Sequence, residues 1–341
     1  MEMTASSYRG RIAPSPTGLL HVGHARTFWT AYQRARAGGG ELRSDGRIAG
    51  AEQEDEAAKR CGTPEGSGTL VLRDEDLDPQ RSRPEFAAAM LEDLRWLGIE
   101  WQEGPDVDGP FAPYRQSERR EFYLHAWKRL LDAGFLYACS CSGRDLAEAA
   151  QAPHESFYLY PGASQRSATS PPQPFPSLTI DADEPIYPGA CRGNRMHAET
   201  PAGYNWRFRV PDGEAVSFFD QRQGRQEFIA GRDFGDFVVW RRDGGITAAL
   251  KDVPAYQLAV VVDDAAMRIT EVVRGADLLL STARQILLMK ALAINPPAWF
   301  HCDLLVDEHG RRMAKRHDAL SLRTLRQAGW TPQQIRERWQ F

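Results

Sequence analysis

The chain has little cysteine: five in 341 residues. That number is odd, and too small to staple a chain of this length. A disulfide scaffold is therefore excluded, and clustered cysteines are better read as metal ligands or chemistry. Long apolar runs are also missing. No stretch reaches the roughly 18 residues a membrane span requires. The first eleven residues are short on apolar side chains and form no signal-peptide core. A soluble cytoplasmic protein is the expectation. Nor is there an overall excess of positive charge: Lys and Arg number 42 against 46 Asp and Glu, a net charge of −4. This excludes a uniformly basic nucleic-acid coat or a polybasic membrane binder, though not a local basic patch. What is present is an ordinary globular composition, 42% hydrophobic and 26% charged. The length allows one large domain or two ordinary ones.

Charge is unevenly placed. Residues 311–341 carry eight basic side chains (Arg311, Arg312, Lys315, Arg316, Arg323, Arg326, Arg336, Arg338) against Asp318 and Glu337. This segment is either a solvated helical face or a surface for phosphates. Along the chain, a short strand at Arg11-Ile12-Ala13 enters the turn Pro14-Ser15-Pro16-Thr17-Gly18. A helix follows His21-Val22-Gly23-His24 and stops at Gly38-Gly39-Gly40. Thr69-Leu70-Val71-Leu72 reads as a buried strand. Strand, turn, helix, strand is the pattern of a parallel α/β sheet. Residues 84–97, 118–133 and 281–293 have helical periodicity. Leu258-Ala259-Val260-Val261-Val262 reads as a further buried strand, ending at Asp263-Asp264. Two stretches break the order: 41–67, a surface excursion, and 143–184, a Pro- and Ser-rich insertion.

Three groups of residues carry chemistry. In Ala13-Pro14-Ser15-Pro16-Thr17-Gly18-Leu19-Leu20-His21-Val22-Gly23-His24, two histidines flank a glycine at a helix start. Free N–H groups there favour an anion, imidazoles can donate to phosphoryl oxygens, and Gly23 admits close approach of a nucleotide. Leu72-Arg73-Asp74-Glu75-Asp76-Leu77-Asp78 follows a strand end, where parallel sheets bind ligands. Its carboxylates suit an ammonium, or else cap the next helix. Cys139-Ser140-Cys141, with Tyr187 and Cys191 further on, supplies three thiols that one oxygen or nitrogen ligand would complete to a tetrahedral zinc site, or else buried reduced cysteine. His154 and His197 are substitute donors. Cys61 and Cys302 match nothing.

Residues 11–24 resemble the HIGH signature of the class I aminoacyl-tRNA synthetases, in particular the glutamyl branch. Arg312-Met313-Ala314-Lys315-Arg316 resembles the second signature, KMSKS, with Arg312 for the first Lys and Ala314 for Ser. The resemblance implies a Rossmann-type parallel-sheet nucleotide-binding domain with an inserted acceptor- and zinc-binding subdomain. On this likeness residues 1–110 and 241–300 form the two halves of the nucleotide-binding domain. Residues 111–240 form the insertion, and 301–341 the KMSKS-like loop and basic segment. It implies ATP held by Pro14, Thr17, Gly18, His21, Gly23, His24, Met313 and Lys315, with Mg²⁺ as a cofactor and His21, His24 and Lys315 catalytic. It implies L-glutamate bound by Arg11, Ala13, Ser15, Glu75, Tyr256 and Arg274. Without that likeness, Arg274 would be read as pairing with Asp277 or Glu271.

The glutamyl-queuosine tRNA(Asp) synthetases carry C-x-C followed by Y-x3-C as zinc ligands. Cys139, Cys141, Tyr187 and Cys191 are similar, although 143–184 separates the halves. Only 25 residues follow Arg316, too few for a further core. No anticodon-binding domain is expected. The resemblance then implies a monomeric ligase that activates glutamate with ATP and transfers it to queuosine in tRNA(Asp). Left open are a truncated glutamyl-tRNA synthetase charging tRNA 3′ ends, a non-catalytic tRNA-binding paralogue, and a glutamyl ligase with a non-RNA acceptor.

Overall fold

The structure, a computed structural model, describes residues 8–39, 68–141, 186–242, 252–306 and 320–341. The expectations for 41–67 and 143–184, and for Met313, Lys315, His154 and Cys61, lie outside the described residues.

Strand β1 (Arg9–Ile12) pairs in parallel with β2 (Thr69–Leu72). Between them helix α1 (Val22–Arg36) crosses over, burying Val22, Ala25, Ala31 and Ala35. Helix α2 (Pro84–Leu97) starts on Pro84, where a missing N–H costs nothing, and ends at Gly98 with φ 92°. That left-handed geometry lets the N–H groups of Gly98 and Ile99 close the last turn. A short 3₁₀ turn at Gln116–Glu118 leads into α3 (Arg120–Asp132).

Next come β3 (Leu136–Cys139), β4 (Asn205–Phe208), β5 (Ala215–Asp220), β6 (Gly224–Ile229), β7 (Phe237–Arg241) and β8 (Val253–Pro254). β3, β4, β7 and β8 form an antiparallel sheet. Its core centres on Trp127, Trp206 and Trp240, with Trp127 and Trp206 meeting edge to face at 5.1 Å. The β5–β6 hairpin does not join that sheet. β5 instead runs parallel to β10 (Ala298–Cys302), which pairs in parallel with β9 (Glu271–Gly275). β9 lies beside β1, where the Thr270 N–H donates to the Arg9 carbonyl at 2.9 Å.

Residues 258–262 are not a strand. They lie in helix α4 (Tyr256–Ala266), with all five side chains buried. A helix covered on every side shows no polar face, so its apolar run has no 3.6-residue period and mimics a buried strand. Helix α5 (Leu279–Ala291) packs against it.

The C-terminal segment docks on α1 and α2. Ser321 bridges His21, and its hydroxyl caps α6 (Leu322–Gln327). A capping box of Thr331 and Gln334 starts α7 (Pro332–Trp339). Three of the eight basic residues lie against neighbouring helices, Arg323 and Arg336 half-buried and Arg326 exposed. Arg323 pairs with Asp93 at 3.1 Å, Arg326 lies over Trp96, and Arg336 lies over Trp29 and donates to the Leu97 carbonyl.

Candidate active site and metal centre

The C-terminal ends of five strands converge on one polar pocket. β1 supplies Arg11, β2 leads into Arg73 and Glu75, β9 supplies Arg274, β10 supplies His301 and β5 supplies Asp220. Ligands of α/β sheets collect at such ends because the strands present side chains there while the helices turn away. The Glu75 N–H donates to the Pro14 carbonyl at 3.0 Å, which fastens this carboxylate to the turn before α1.

Two buried arginines are neutralised within the pocket. Arg73 donates to Asp264 at 2.7 Å and to Glu75 at 2.9 Å, and Arg11 donates to Asp264 at 3.3 Å. Beneath them Asp263 accepts from Arg119 at 2.7 Å, Gln116 at 2.8 Å and Tyr123 at 2.9 Å. Burial alone would raise the Asp264 carboxyl, but Arg73 and Arg11 outweigh it and hold the carboxyl below its ordinary value. For Glu75 burial wins over Arg73, and its carboxyl is raised.

Arg274 is different. It is 4% exposed, and its contacts are the His301 Nε2 at 3.1 Å, the Thr282 hydroxyl at 2.6 Å and the Tyr256 hydroxyl at 3.4 Å. The expected structural pairing fails: Glu271 is bound by Arg34 from α1 at 2.6 Å and by the Tyr8 hydroxyl at 2.7 Å. Among the described residues no carboxylate pairs with Arg274. Burial therefore holds this guanidinium below its ordinary value. A buried cation whose direct partners are neutral acceptors can receive a carboxylate.

Beside this pocket stands the start of α1. No side chain caps it and its first turn holds no acid, so its N–H end favours an anion. The rings of His21 and His24 sit 5.9 Å apart at this end. A Cβ added at Gly18 or Gly23 would meet no atom within 4 Å, which leaves room for a ligand against the backbone.

The cysteine cluster lies on the antiparallel sheet. Cys139 ends β3, Cys141 follows, and the turn containing Gly189 folds Tyr187 and Cys191 onto them. The two halves, far apart in sequence, meet here. The three sulfurs lie within 4.8 Å of one another, and those of Cys141 and Cys191 are 3.6 Å apart. The Tyr187 hydroxyl is 3.4 Å from the Cys139 sulfur and 3.6 Å from that of Cys141. A zinc with three thiolates and one oxygen requires edges of about 3.8 Å between sulfurs and about 3.5 Å from sulfur to oxygen. The group fits that tetrahedron. Burial would raise the Cys191 thiol, but the Tyr187 hydroxyl and the Ser140 backbone outweigh it and bring it down to about 7. His197 is exposed and stands outside the cluster. Cys302 is buried alone, with its thiol pushed up to about 11 by that burial.

Residues 7–49, 64–167 and 194–338 match the family described as tRNA synthetases class I (E and Q), catalytic domain. The chain belongs to this family. It is a synthetase-type ligase similar to the glutamyl-Q tRNA(Asp) synthetase of Symbiobacterium thermophilum, 40% identical over 96% of this chain and 83% of that one. It is also similar to a glutamate–tRNA ligase of Nitrosococcus oceani, 34% identical over 98% of this chain and 58% of that one. A glutamate tRNA ligase from Elizabethkingia meningosepticum, solved in complex with its amino acid, superposes with a TM-score of 0.64 at 25% identity. That match covers 92% of this chain, which spans about half, 53%, of the solved one. Among the described residues no helix is long and apolar enough to cross a membrane.

In this class I synthetase chain the expected ligands fall into three places. Arg11, Glu75, Tyr256 and Arg274 line the pocket. Ala13, Pro14, Ser15, Thr17 and Gly18 form the turn between that pocket and His21. Cys139, Cys141, Tyr187 and Cys191 form one cluster whose donors could hold a metal. Sequence reasoning missed Arg73 and Asp264 as a linked pair, and it missed His301, Asp220 and Thr282. One signal was available: His301 is the single polar side chain between Trp299, Phe300 and Cys302 in a buried strand.

Proposed function

We propose that the chain activates L-glutamate with ATP and transfers it to the queuosine of tRNA(Asp). The observation that carries the first half is Arg274, a buried guanidinium facing neutral partners, with the Glu75 carboxylate in the same pocket. That charge layout suits a dicarboxylic amino acid. Arg274 and Tyr256 receive the side-chain carboxylate, Glu75 the α-ammonium, and Arg11 with the turn at Ala13 and Ser15 closes the pocket over the substrate.

ATP lies along the open glycine surface at the start of α1, against Pro14, Thr17, Gly18 and Gly23. His21 and His24 would donate to the phosphates, family likeness adds Met313 and Lys315 as further ATP contacts, and Mg²⁺ would balance phosphate charge. An oxygen of the glutamate α-carboxylate attacks the α-phosphorus. The bond to the pyrophosphate oxygen breaks, leaving glutamyl-adenylate. A hydroxyl of the acceptor then attacks the activated carbonyl and releases AMP. Positioning and charge stabilisation supply the rate.

On this reading the parallel half is a Rossmann-type nucleotide-binding domain. The antiparallel sheet is then an acceptor-binding insertion stabilised by one zinc. The choice of queuosine is supported by the 40% identity to a glutamyl-Q tRNA(Asp) synthetase and by the Cys/Tyr cluster. The second reading, transfer to tRNA 3′ ends, is favoured by the 34% identity to a glutamate–tRNA ligase. Charging of tRNA(Asp) with and without queuosine separates them: queuosine-dependent incorporation supports the proposal, and esterification of the 3′-terminal adenosine refutes it.

A further inference from the structure

His301 and Asp220 sit behind Arg274, both 0% exposed. The Arg274 Nε–H has to donate, so the His301 Nε2 facing it at 3.1 Å has to accept. The ring proton is then on Nδ1, 2.6 Å from the Asp220 carboxylate. Asp220 is held in place by the backbone N–H groups of Arg222 at 2.9 Å, Gln223 at 2.7 Å and His301 itself at 3.1 Å. The Thr282 hydroxyl, 2.6 Å from the second arm of the fork, fixes its plane.

The consequence is electrostatic. Arg11, Arg73, Arg119 and Arg34 each meet a carboxylate directly. At Arg274 an imidazole ring is interposed between the guanidinium and the Asp220 carboxylate, while the neighbouring Asp264 is engaged by Arg73 and Arg11. A carboxylate at position 301 would aim the fork equally well but cancel its charge. A neutral ring aims it and leaves the charge for a ligand.

We propose that His301, locked by Asp220 as the Nδ1–H tautomer, is a positioning and specificity-determining residue. It holds Arg274 in register for a substrate side-chain carboxylate without neutralising it. This inference rests on the reading that the pocket activates glutamate.

Two variants of similar volume test it. His301→Gln places an amide oxygen where Nε2 accepts, and so keeps the acceptor for Arg274. His301→Asn keeps a donor for Asp220 and loses that acceptor. Glutamate-dependent ATP–pyrophosphate exchange is measured for each, varying glutamate and ATP separately and repeating with glutamine. His301→Asn is expected to raise the KM for glutamate at least 20-fold, to leave the KM for ATP within twofold, and to reduce the preference for glutamate over glutamine by a similar factor. His301→Gln is expected to stay within about fivefold of the parent for glutamate. Equal effects of the two variants, equal effects on both substrates, or loss of folding in both would mark His301 as structural and overturn the proposal. Absence of exchange in the parent chain would overturn the glutamate reading itself, and the inference with it.

Discussion

Replacing Arg274 by methionine removes the guanidinium while keeping most of its length. The structure sets the size of the effect. Two charge-assisted hydrogen bonds from a buried fork to a carboxylate are worth about 3–4 kcal/mol together, or roughly 150- to 1,000-fold in apparent affinity for glutamate. The structure also sets what should not change. Thr282 and His301 remain within 3.0 Å of each other, and His301 keeps Asp220 at 2.6 Å. The lost group is a buried cation that no described carboxylate contacts directly, so its removal spares the fold a desolvation cost. The expected outcome is a large rise in the KM for glutamate in ATP–pyrophosphate exchange, an unchanged KM for ATP, and a Tm equal to or above that of the parent. Arg274→Lys should recover little, because an ammonium cannot reproduce the fork that reaches both His301 and Thr282. A fall in Tm of more than about 5 °C, expected when a structural contact is lost, together with an unchanged KM for glutamate would refute the reasoning. It would return Arg274 to a structural role.

Elemental analysis of protein purified without chelator should find one zinc per chain, and Cys191→Ser should lose it with a lowered Tm. Metal-free protein that keeps its Tm would contradict the tetrahedral reading. Arg323→Ala should destabilise the chain by about 2–3 kcal/mol in urea unfolding, because it strips the fully buried Asp93 of its cation. An unchanged midpoint would mean that the C-terminal helices dock without it. Asp74→Asn should stabilise the protein, increasingly so as pH rises from about 4 to 7. Burial pushes the Asp74 carboxyl up to about 7, above its unfolded value, so the folded parent binds an extra proton below that pH and loses stability as the pH climbs through the window. The gain at neutral pH should be on the order of 2 kcal/mol, and a pH-independent difference would contradict it.

Local signals read well from this sequence. Proline at the start and glycine past the end place α2 at Pro84–Leu97, since both act through backbone geometry that needs no distant partner. The HIGH-like turn and the C-x-C likewise carry their own spacing. The failures are long-range. The run at 258–262 is apolar because α3, α5 and the antiparallel sheet surround it, and nothing within eleven residues of α4 reveals that. Glu271 is three residues from Arg274 in sequence, yet its partner is Arg34, 237 residues away. The basic C-terminal segment reads as a charged face, and what the sequence does not reveal is that Arg336, Arg326 and Arg323 lie against Trp29, Trp96 and Asp93 of other helices. The strand-end pocket is similar. Arg11, Glu75 and Arg274 were legible through family likeness, whereas the His301–Asp220 support behind them is created only when β5 and β10 are brought side by side.

On the proposed function, glutamate activated in this pocket goes to queuosine rather than to the end of a tRNA. The most direct measurement is transfer of radiolabelled glutamate to purified tRNA(Asp), with and without queuosine, followed by nuclease mapping of the labelled nucleotide. Label is expected only on queuosine-containing tRNA, and at the wobble nucleotide. Label on the 3′-terminal adenosine, independent of queuosine, would contradict it.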